Sequence, residues 1–250
     1  MRKYYLPLSI FCLFACFTIF SAFKTKNSKT LIAAATTIIS SKNHAARFSS
    51  EIDSLSNKLY DTLKLEKLGL TKEALLYAYK GQHHLIEEGI VSNSSILTVC
   101  DFSQSSKQKR MYIIDTKNLK VLLNTYVAHG RNSGLDYAER FSNAPESLES
   151  SLGFYITRNT YFGKHGLSLK LSGVDQGFND NAESRDVVVH GAQYIGNERS
   201  GAGFMGRSYG CPAVPQRLAP KVIDLIKNGT CLFIYHPDQN YFLGSTILNG

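Results

Sequence analysis

The fold and the chemistry of this chain are decided by Val187-Val-Val-His-Gly191, followed by Gly206-Arg-Ser-Tyr-Gly-Cys-Pro212. The run of β-branched residues predicts a buried strand that ends in His190. Cys211 lies between a glycine and a proline, which is typical of a tight turn that presents a side chain outward. A thiol attacks only as the thiolate and therefore needs a base to take its proton. The two stretches together predict acyl transfer by a Cys–His pair.

Strand patterns continue on both sides of these stretches. The segments with this pattern are Ile96–Cys100, Arg110–Asp115, Val121–Val127, Gly153–Thr157, Leu167–Leu171, Asp186–His190 and Cys231–Tyr235. Asp115-Thr-Lys-Asn118 predicts a hairpin turn. One short helix is predicted from Pro215 to Lys227, ended by Asn228-Gly229. Many strands with few intervening helices predict a mainly β sandwich or barrel-like domain over residues 95–245.

Two helical patterns precede the strands. Residues 48–66 carry apolar side chains at three- and four-residue spacing, and Gly69 ends the first pattern. Thr71 is a predicted N-cap of a second helix, which ends by Gly89. Because both apolar stripes are narrow, we expect residues 48–94 to form a helical cap packed on the neighbouring sheet rather than an independent domain.

The N-terminal residues carry targeting features. Arg2 and Lys3 precede a mostly apolar segment, 6–23, as in an export signal. The segment is also long enough to persist as a membrane anchor, so residues 1–23 are either a signal peptide or an anchor. Residues 24–47 are rich in Ser, Thr and Ala and predict a tether. We therefore expect an exported protein of the periplasm or cell envelope.

The charge pattern limits the partners of the protein. The 250 residues carry a formal net charge of +8, without a long run of basic residues. No nucleic-acid motif accompanies this charge, so we expect no nucleic-acid partner but attraction to an anionic envelope polymer. The sequence has no acidic or cysteine partners at metal-ligand spacing from His44, His83, His84 or His236, and it has no Gly-rich phosphate loop that ends in Lys-Ser or Lys-Thr. We expect no metal and no organic cofactor; the oligomeric state stays open.

The cysteines fall into two groups. Removal of an export signal would leave Cys100, Cys211 and Cys231, an odd number, so at least one thiol stays unpaired within the chain. Cys100 and Cys231 lie in predicted strands, where they are either buried and inert or bridged to each other. Cys211 is the candidate for the free, reactive thiol.

The quoted residues resemble the murein L,D-transpeptidase catalytic domains. The signature of that family is a His, a gap of about this size, then Ser or Thr, a variable residue and Gly-Cys, which Val189-His-Gly191 and Ser208-Tyr-Gly-Cys211 match. The resemblance is closer to a branch with Pro-Ala after the cysteine. That branch has segments like Val127-Ala-His-Gly130, Phe141-Ser-Asn143, Ser150-Ser-Leu-Gly-Phe-Tyr155 and His165-Gly-Leu-Ser-Leu169. The resemblance covers residues 50 to 240 and implies an L,D-transpeptidase-like β-sandwich or barrel domain with two short N-terminal helices packed on it.

The resemblance also implies a reaction. Cys211 would attack a tetrapeptide stem of peptidoglycan and expel the terminal D-Ala, and an amine of another stem would take the acyl group. His190 would be the base, with its ring oriented by the backbone carbonyl of Gly191. An L,D-carboxypeptidase that transfers the acyl group to water is the nearest alternative. A non-catalytic wall-binding envelope protein is another.

Further site residues surround this pair. The N–H groups of Gly210 and Cys211 are candidates for an oxyanion hole. Arg207 is a candidate partner for a stem-peptide carboxylate, and Ser208 would either bond the histidine ring or hold the turn. The remaining substrate-binding candidates are Tyr209, His129 and His165. Tyr209 and Ala213 stand where many family members have a His and an Arg or Asn that orient the substrate, so the reaction class is better supported than the substrate.

Overall fold

Eight strands form one mixed sheet in the computed structural model, which describes residues 50–199 and 201–249. The strands are β1 (Ile96–Asp101), β2 (Met111–Asp115), β3 (Lys120–Thr125), β4 (Gly153–Gly163), β5 (Gly166–Gly173), β6 (Val188–Ala192), β7 (Ala213–Pro215) and β8 (Cys231–Tyr235). Their order in the sheet is β3-β2-β1-β8-β4-β5-β6-β7. The predicted signal or anchor, 1–23, and the tether, 24–47, lie outside the described residues.

The two edges of the sheet approach each other. The pairs β1–β8 and β6–β7 are parallel, whereas the other neighbouring strands pair antiparallel. The chain leaving β3 turns toward the opposite edge, where Ala128 pairs with Ala213 of β7 and Gly130 with Ser208. The sheet is therefore nearly closed into a barrel. The mainly β prediction is confirmed, in its barrel-like form.

Helices cover the sheet and its ends. The described part of the first helix, α1, covers residues 50–62, and the others are a 3₁₀ turn (Leu65–Leu68), α2 (Lys72–Glu87), a second 3₁₀ turn (Asn197–Arg199), α3 (Ala219–Ile226), α4 (Gln239–Gly244) and α5 (Thr246–Asn249). The predicted N-cap is confirmed, because the Thr71 hydroxyl accepts a hydrogen bond from the N–H of Ala74. The apolar face of α2 joins the core of the sheet. Residues from Ile52 onward form one unit. No helix within residues 50–199 and 201–249 is both long and apolar enough to cross a membrane.

Some predicted boundaries were wrong. The predicted strand that ended in His190 instead runs from Val188 to Ala192, so the histidine lies within the strand. The helix expected from Pro215 begins at Ala219, because the preceding residues form β7 and a turn. Neither β7 nor the C-terminal helices were predicted. Helices α4 and α5 are held by the buried Asp175 carboxylate, which accepts hydrogen bonds from the hydroxyls of Tyr241 and Ser245.

Cys100 and Cys231 are buried and free. They lie on the parallel neighbours β1 and β8, where Cys231 pairs with Leu97 rather than with Cys100. A three-residue offset along a strand corresponds to about 10 Å, which is too far for a disulfide. The bridged alternative is therefore wrong for this fold. Burial raises the pKa of the Cys100 thiol to about 12, so it is protonated and unreactive at neutral pH.

Gly81 lies where α2 contacts the sheet, so a substitution at this position tests how closely the helix packs on the sheet. Alanine in place of a helical glycine normally stabilises a helix by about 1 kcal/mol. Here the added Cβ would overlap the ring of Phe154, which is itself stacked on Phe233 at a centroid distance of 4.2 Å. We expect Gly81→Ala to lower the free energy of unfolding in urea by about 1–3 kcal/mol through overpacking.

Gly203→Ala is the control, since its Cβ would meet no neighbouring atom. It should change the free energy of unfolding by no more than about 0.5 kcal/mol. A Gly81→Ala protein as stable as the wild type would mean that α2 is not packed this closely on β4.

Candidate active site

The parallel pairing of β6 with β7 brings the cysteine to the histidine strand. His190 pairs with Ala213, so Cys211 lies at the entry to β7, beside Val188. The N–H of Val188 donates to Cys211 Sγ at 3.5 Å, and the thiol donates to the carbonyl of Asp186 at 3.5 Å. Burial raises the pKa of the Cys211 thiol, although the Val188 N–H and the charge of Arg185 oppose this effect. The thiol is therefore protonated at neutral pH.

Hydrogen bonds within the chain hold the turn before the cysteine in one shape. The hydroxyl of Ser208 donates to the carbonyl of Cys211 at 2.6 Å and accepts from the N–H of Gly210 at 3.1 Å. Gly210 has a φ of 124°, and a Cβ at this position would lie 2.8 Å from the carbonyl oxygen of Glu149. Glycine is thus required here for both conformation and space.

These bonds bear on two of the sequence predictions. Ser208 is buried and holds the turn, which is one of its two expected roles and leaves no exposed hydroxyl for a substrate. The N–H of Gly210 already donates to Ser208, so it is not a free donor for an oxyanion in this geometry. Of the two predicted oxyanion donors, the N–H of Cys211 is the one that this turn does not occupy.

The His190 ring is oriented by its own strand. Its Nδ1 lies 2.9 Å from the carbonyl oxygen of Gly191. Because a carbonyl only accepts, Nδ1 carries the proton and Nε2 keeps a free lone pair in the neutral ring. Burial lowers the pKa of His190, opposed by the Gly191 hydrogen bond and supported by His165. Within residues 50–199 and 201–249, no hydrogen bond joins the His190 ring to the Cys211 thiol.

The histidine at the tip of the β4–β5 hairpin covers the His190 ring. His165 is exposed, and its ring stacks on His190 with 4.2 Å between centroids and 23° between planes. This proximity adds to the effect of burial in lowering the pKa of His190. The sequence prediction placed His165 near the active face, and the structure brings it to the predicted base.

The remaining predicted site residues differ in their access to solvent. Tyr209 is 70% exposed beside the nucleophile turn, with the Arg131 guanidinium 5.9 Å from its ring centroid. Arg207 instead donates through Nη1 to the carbonyls of Arg131 and Gly134, at 2.8 and 3.1 Å, and packs on Phe204. These contacts hold the 131–134 loop.

His129 belongs to the scaffold rather than to an open site. It is fully buried, with its Nδ1 2.7 Å from Nη2 of the buried Arg110. Its Nε2 lies 3.3 Å from the carbonyl oxygen of Gly134. Burial, followed by the charge of Arg110, lowers the pKa of His129 to about 3, so the ring stays neutral. The expected contact between His129 and a substrate was wrong, because protein atoms surround the ring.

Sequence reasoning missed Arg185, which organises the other side of the turn. Its guanidinium donates to the carbonyls of Ser142 and Glu149 and to the hydroxyls of Ser147 and Ser151. The loop 142–151 that it holds packs against the nucleophile turn, where the Ser150 hydroxyl donates to the carbonyl of Gly210 at 3.2 Å. No local signal marks an arginine for this role, since its partners lie 34 to 43 residues away.

No group of three or more His, Cys, Asp or Glu side chains in the described part of the chain is arranged to hold a metal ion.

Comparison with known proteins identifies one matching family. The family model described as the L,D-transpeptidase catalytic domain matches residues 66–235, which is more than half of the chain. The match includes every residue of the site described above. A search of curated proteins returns no match.

Similar solved structures exist at low sequence identity. An L,D-transpeptidase from Mycobacterium smegmatis is 13% identical, with 57% of this chain and 59% of that chain covered and a TM-score of 0.35. The helical cell shape determining protein Pgp2 from Campylobacter jejuni is 13% identical, with 64% and 57% covered and a TM-score of 0.39. The present chain spans less than two thirds of either solved chain.

Arg185 generates a prediction about the thiol. Its positive charge lowers the pKa of Cys211, so Arg185→Gln should raise that pKa further and slow alkylation by iodoacetamide at neutral pH. The same change removes hydrogen bonds from loop 142–151 and should lower the free energy of unfolding by about 1–3 kcal/mol. The measurement is the pH profile of alkylation together with urea unfolding.

Arg140→Gln is the matched control, because Arg140 also contacts this loop, through an exposed ion pair with Glu149 at 3.5 Å. Exposed pairs contribute about 0–1 kcal/mol, and this one should leave the alkylation profile unchanged. An identical alkylation profile in Arg185→Gln and wild type would contradict the electrostatic role.

Proposed function

The chain belongs to the family of L,D-transpeptidase catalytic domains and thus has a peptidoglycan-modifying role; from this we propose a transpeptidase with Cys211 as nucleophile and His190 as base. One observation carries the assignment of residues. The β6–β7 register puts a turn cysteine beside the strand of a histidine whose Nδ1 is held by a backbone carbonyl. The stem peptides of peptidoglycan are the proposed substrate, which implies an exported enzyme.

The pKa shifts favour one form of the resting site. Burial raises the pKa of Cys211 and lowers the pKa of His190, so both groups are neutral near pH 7. A resting thiolate–imidazolium pair would require the opposite shifts. His190 therefore acts as a general base that takes the thiol proton during the attack.

Acylation follows from these protonation states. The thiol turns from the Asp186 carbonyl toward Nε2 of His190, since catalytic hydrogen bonds are often long or absent before substrate binds. Sγ attacks the carbonyl carbon of the third stem residue while its proton passes to Nε2. The N–H of Cys211 stabilises the oxyanion. Collapse breaks the bond to D-Ala, whose amine takes the proton from His190, and leaves a thioester on Cys211.

Transfer repeats these steps in reverse order. The amine of a second stem attacks the thioester carbonyl and gives its proton to His190. The C–S bond breaks, an amide crosslink forms and the proton returns to the thiolate. The exposed side chains of Tyr209 and His165 flank the reacting groups and are the proposed contacts for the stems.

Cys211→Ala tests the nucleophile. We expect it to abolish product formation from purified tetrapeptide muropeptides, as followed by mass spectrometry, while unfolding in urea stays close to that of the wild type. A thiol-directed electrophile should add one covalent mass to the wild-type protein at Cys211, because burial keeps Cys100 and Cys231 protonated. Labelling confined to either strand cysteine would exclude this assignment.

The products that wild-type protein forms from the muropeptides identify the acceptor of the acyl group. A crosslinked dimer indicates transfer to an amine, whereas a trimmed monomer indicates transfer to water and an L,D-carboxypeptidase. Processing should continue after dialysis against a chelator. Activity that is lost on dialysis and restored by zinc would overturn the cysteine mechanism.

His190 should determine the pH dependence of acylation. His190→Ala should slow acylation at least about a hundredfold, the usual effect of a positioned base. In the wild type the rate should rise with pH through a midpoint below 6.5, because only neutral His190 takes a proton and its pKa is lowered. His165→Ala removes both a like charge and a covering ring, so it should move this midpoint upward.

The measurement is the rate of thioester formation between pH 4 and 8, a range that brackets the ordinary histidine pKa of about 6.5. His84→Ala, on α2, is the control and should leave the midpoint unchanged. A wild-type acylation rate in His190→Ala would show that another group is the base.

A further inference from the structure

A cavity lies where the two edges of the sheet stop pairing. Its volume is about 550 Å³, within the range of about 300–1,000 Å³ that is usual for small-ligand pockets. Ala128 pairs antiparallel with Ala213 and donates to its carbonyl at 2.8 Å. In the same register the next hydrogen-bonded pair would join Tyr126 to Pro215, but proline has no N–H to donate. The pairing stops there, and Tyr126 and Pro215 both line the cavity.

The cavity is at the opposite end of β7 from the nucleophile. Cys211 precedes this strand and Pro215 ends it, so the chain from 211 to 215 separates them by roughly 13 Å when extended. The lining includes Gln193, which follows β6, but neither Asp186 nor Val188, whose backbone groups contact Cys211 Sγ. The cavity is therefore separate from the reacting groups.

Amide side chains provide much of the polar lining. Gln193, Asn197 and Gln216 line the cavity and are exposed to solvent. Each amide offers both donors and an acceptor, which matches the hydroxyl and N-acetyl groups of amino sugars. Tyr126 and Leu218 add half-buried apolar surface, on which the carbon face of a sugar ring can pack. This mixture suits a carbohydrate better than an apolar ligand.

Two cations and one carboxylate complete the lining. Lys109, Arg217 and Glu198 are all exposed at the cavity. Neither cation forms an ion pair with a carboxylate among residues 50–199 and 201–249. A guanidinium can bind a carboxylate through two parallel hydrogen bonds. The excess of positive charge therefore favours a sugar that carries an acidic group.

We propose that this cavity binds the glycan strand of peptidoglycan at a muramic acid residue that carries no stem. The amides bind the hydroxyl and N-acetyl groups of the sugars. Arg217 binds the lactyl carboxylate, which is free only where the stem is absent. A peptide that adds to this edge as a strand is disfavoured, because Pro215 cannot donate to it. The proposal rests on the proposed function for the identity of the polymer, but it involves neither Cys211 nor His190.

Two peptide-free tetrasaccharides separate recognition of the sugar from recognition of its carboxylate. One alternates N-acetylglucosamine with N-acetylmuramic acid and has free carboxylates, whereas the other is the uncharged tetramer of N-acetylglucosamine. Their Kd values are measured by calorimetry on the full-length wild-type protein, because neither ligand has a stem to process. We expect the carboxylated tetrasaccharide to bind about tenfold more tightly, the lower end of the range for hydrogen bonds to charged groups.

Two substitutions should act differently on these ligands. Arg217→Gln should weaken the carboxylated tetrasaccharide about tenfold and leave the uncharged tetramer unchanged. Gln193→Ala should weaken both about threefold, because it removes a neutral hydrogen bond that either sugar can form. Arg158→Gln is the matched control: this exposed arginine lies on β4, does not line the cavity and should change neither Kd.

The outcomes separate this inference from the proposed function. No binding of either tetrasaccharide, equal Kd values for the two, or equal losses for both in Arg217→Gln would overturn the glycan site, even if wild-type protein processes muropeptides. A free tetrapeptide stem that binds more tightly than both glycans and loses this affinity in Arg217→Gln would assign the cavity to the peptide instead. Selective loss of the carboxylated glycan in Arg217→Gln supports the site. If wild-type protein then forms no product from tetrapeptide muropeptides, the proposed transpeptidation fails while the glycan site stands.

Discussion

The parallel pairing of β6 with β7 is the constraint on which the site depends. A shift of one residue along this pair would turn each side chain of the moved strand to the other face of the sheet. His190 and the turn that carries Cys211 would then no longer belong to one site. The pairing is held by the bridge between Ala128 and Ala213 and by the close fit of Gly191, where a Cβ would lie 2.8 Å from Gln216 and 2.9 Å from Ala219.

Removal from water is the largest influence on the protonation of both proposed catalytic groups. It raises the pKa of the Cys211 thiol and lowers the pKa of the His190 imidazole, and each shift favours the neutral form. The neighbouring charges act less strongly: Arg185 favours the thiolate, whereas His165 disfavours the imidazolium. Cys211 and His190 are therefore both uncharged before the reaction, and in the proposed mechanism charge develops only during attack on the substrate.

Sequence patterns correctly predicted the elements whose conformation depends on nearby residues. They failed for elements whose conformation depends on contacts with residues far away in the sequence. The β-branched and aromatic residues of Cys231–Tyr235 and the N-cap at Thr71 were both identified from sequence. In contrast, β7 has three residues and ends in a proline, so its strand conformation comes from pairing with β6. Helices α4 and α5 depend on Asp175, which is 66 residues before Tyr241. Short elements that are held by distant residues need no periodic pattern of apolar residues, so the sequence alone does not reveal them.

The candidate site also contains some contacts between neighbouring residues and others between residues far apart in the sequence. This difference explains why a motif indicates the reaction class better than the substrate. The contact between His190 and the carbonyl of Gly191 joins adjacent residues, so the resemblance could imply it. The burial of His129 depends on Arg110, and the order of loop 142–151 depends on Arg185, which no nearby pattern reveals. Several polar residues of the recognisable segments thus hold the nucleophile turn rather than face a ligand. In the proposed reaction, selection among substrates is left to the exposed side chains of these segments, such as Tyr209 and His165, which take no part in the hydrogen bonds that hold the turn.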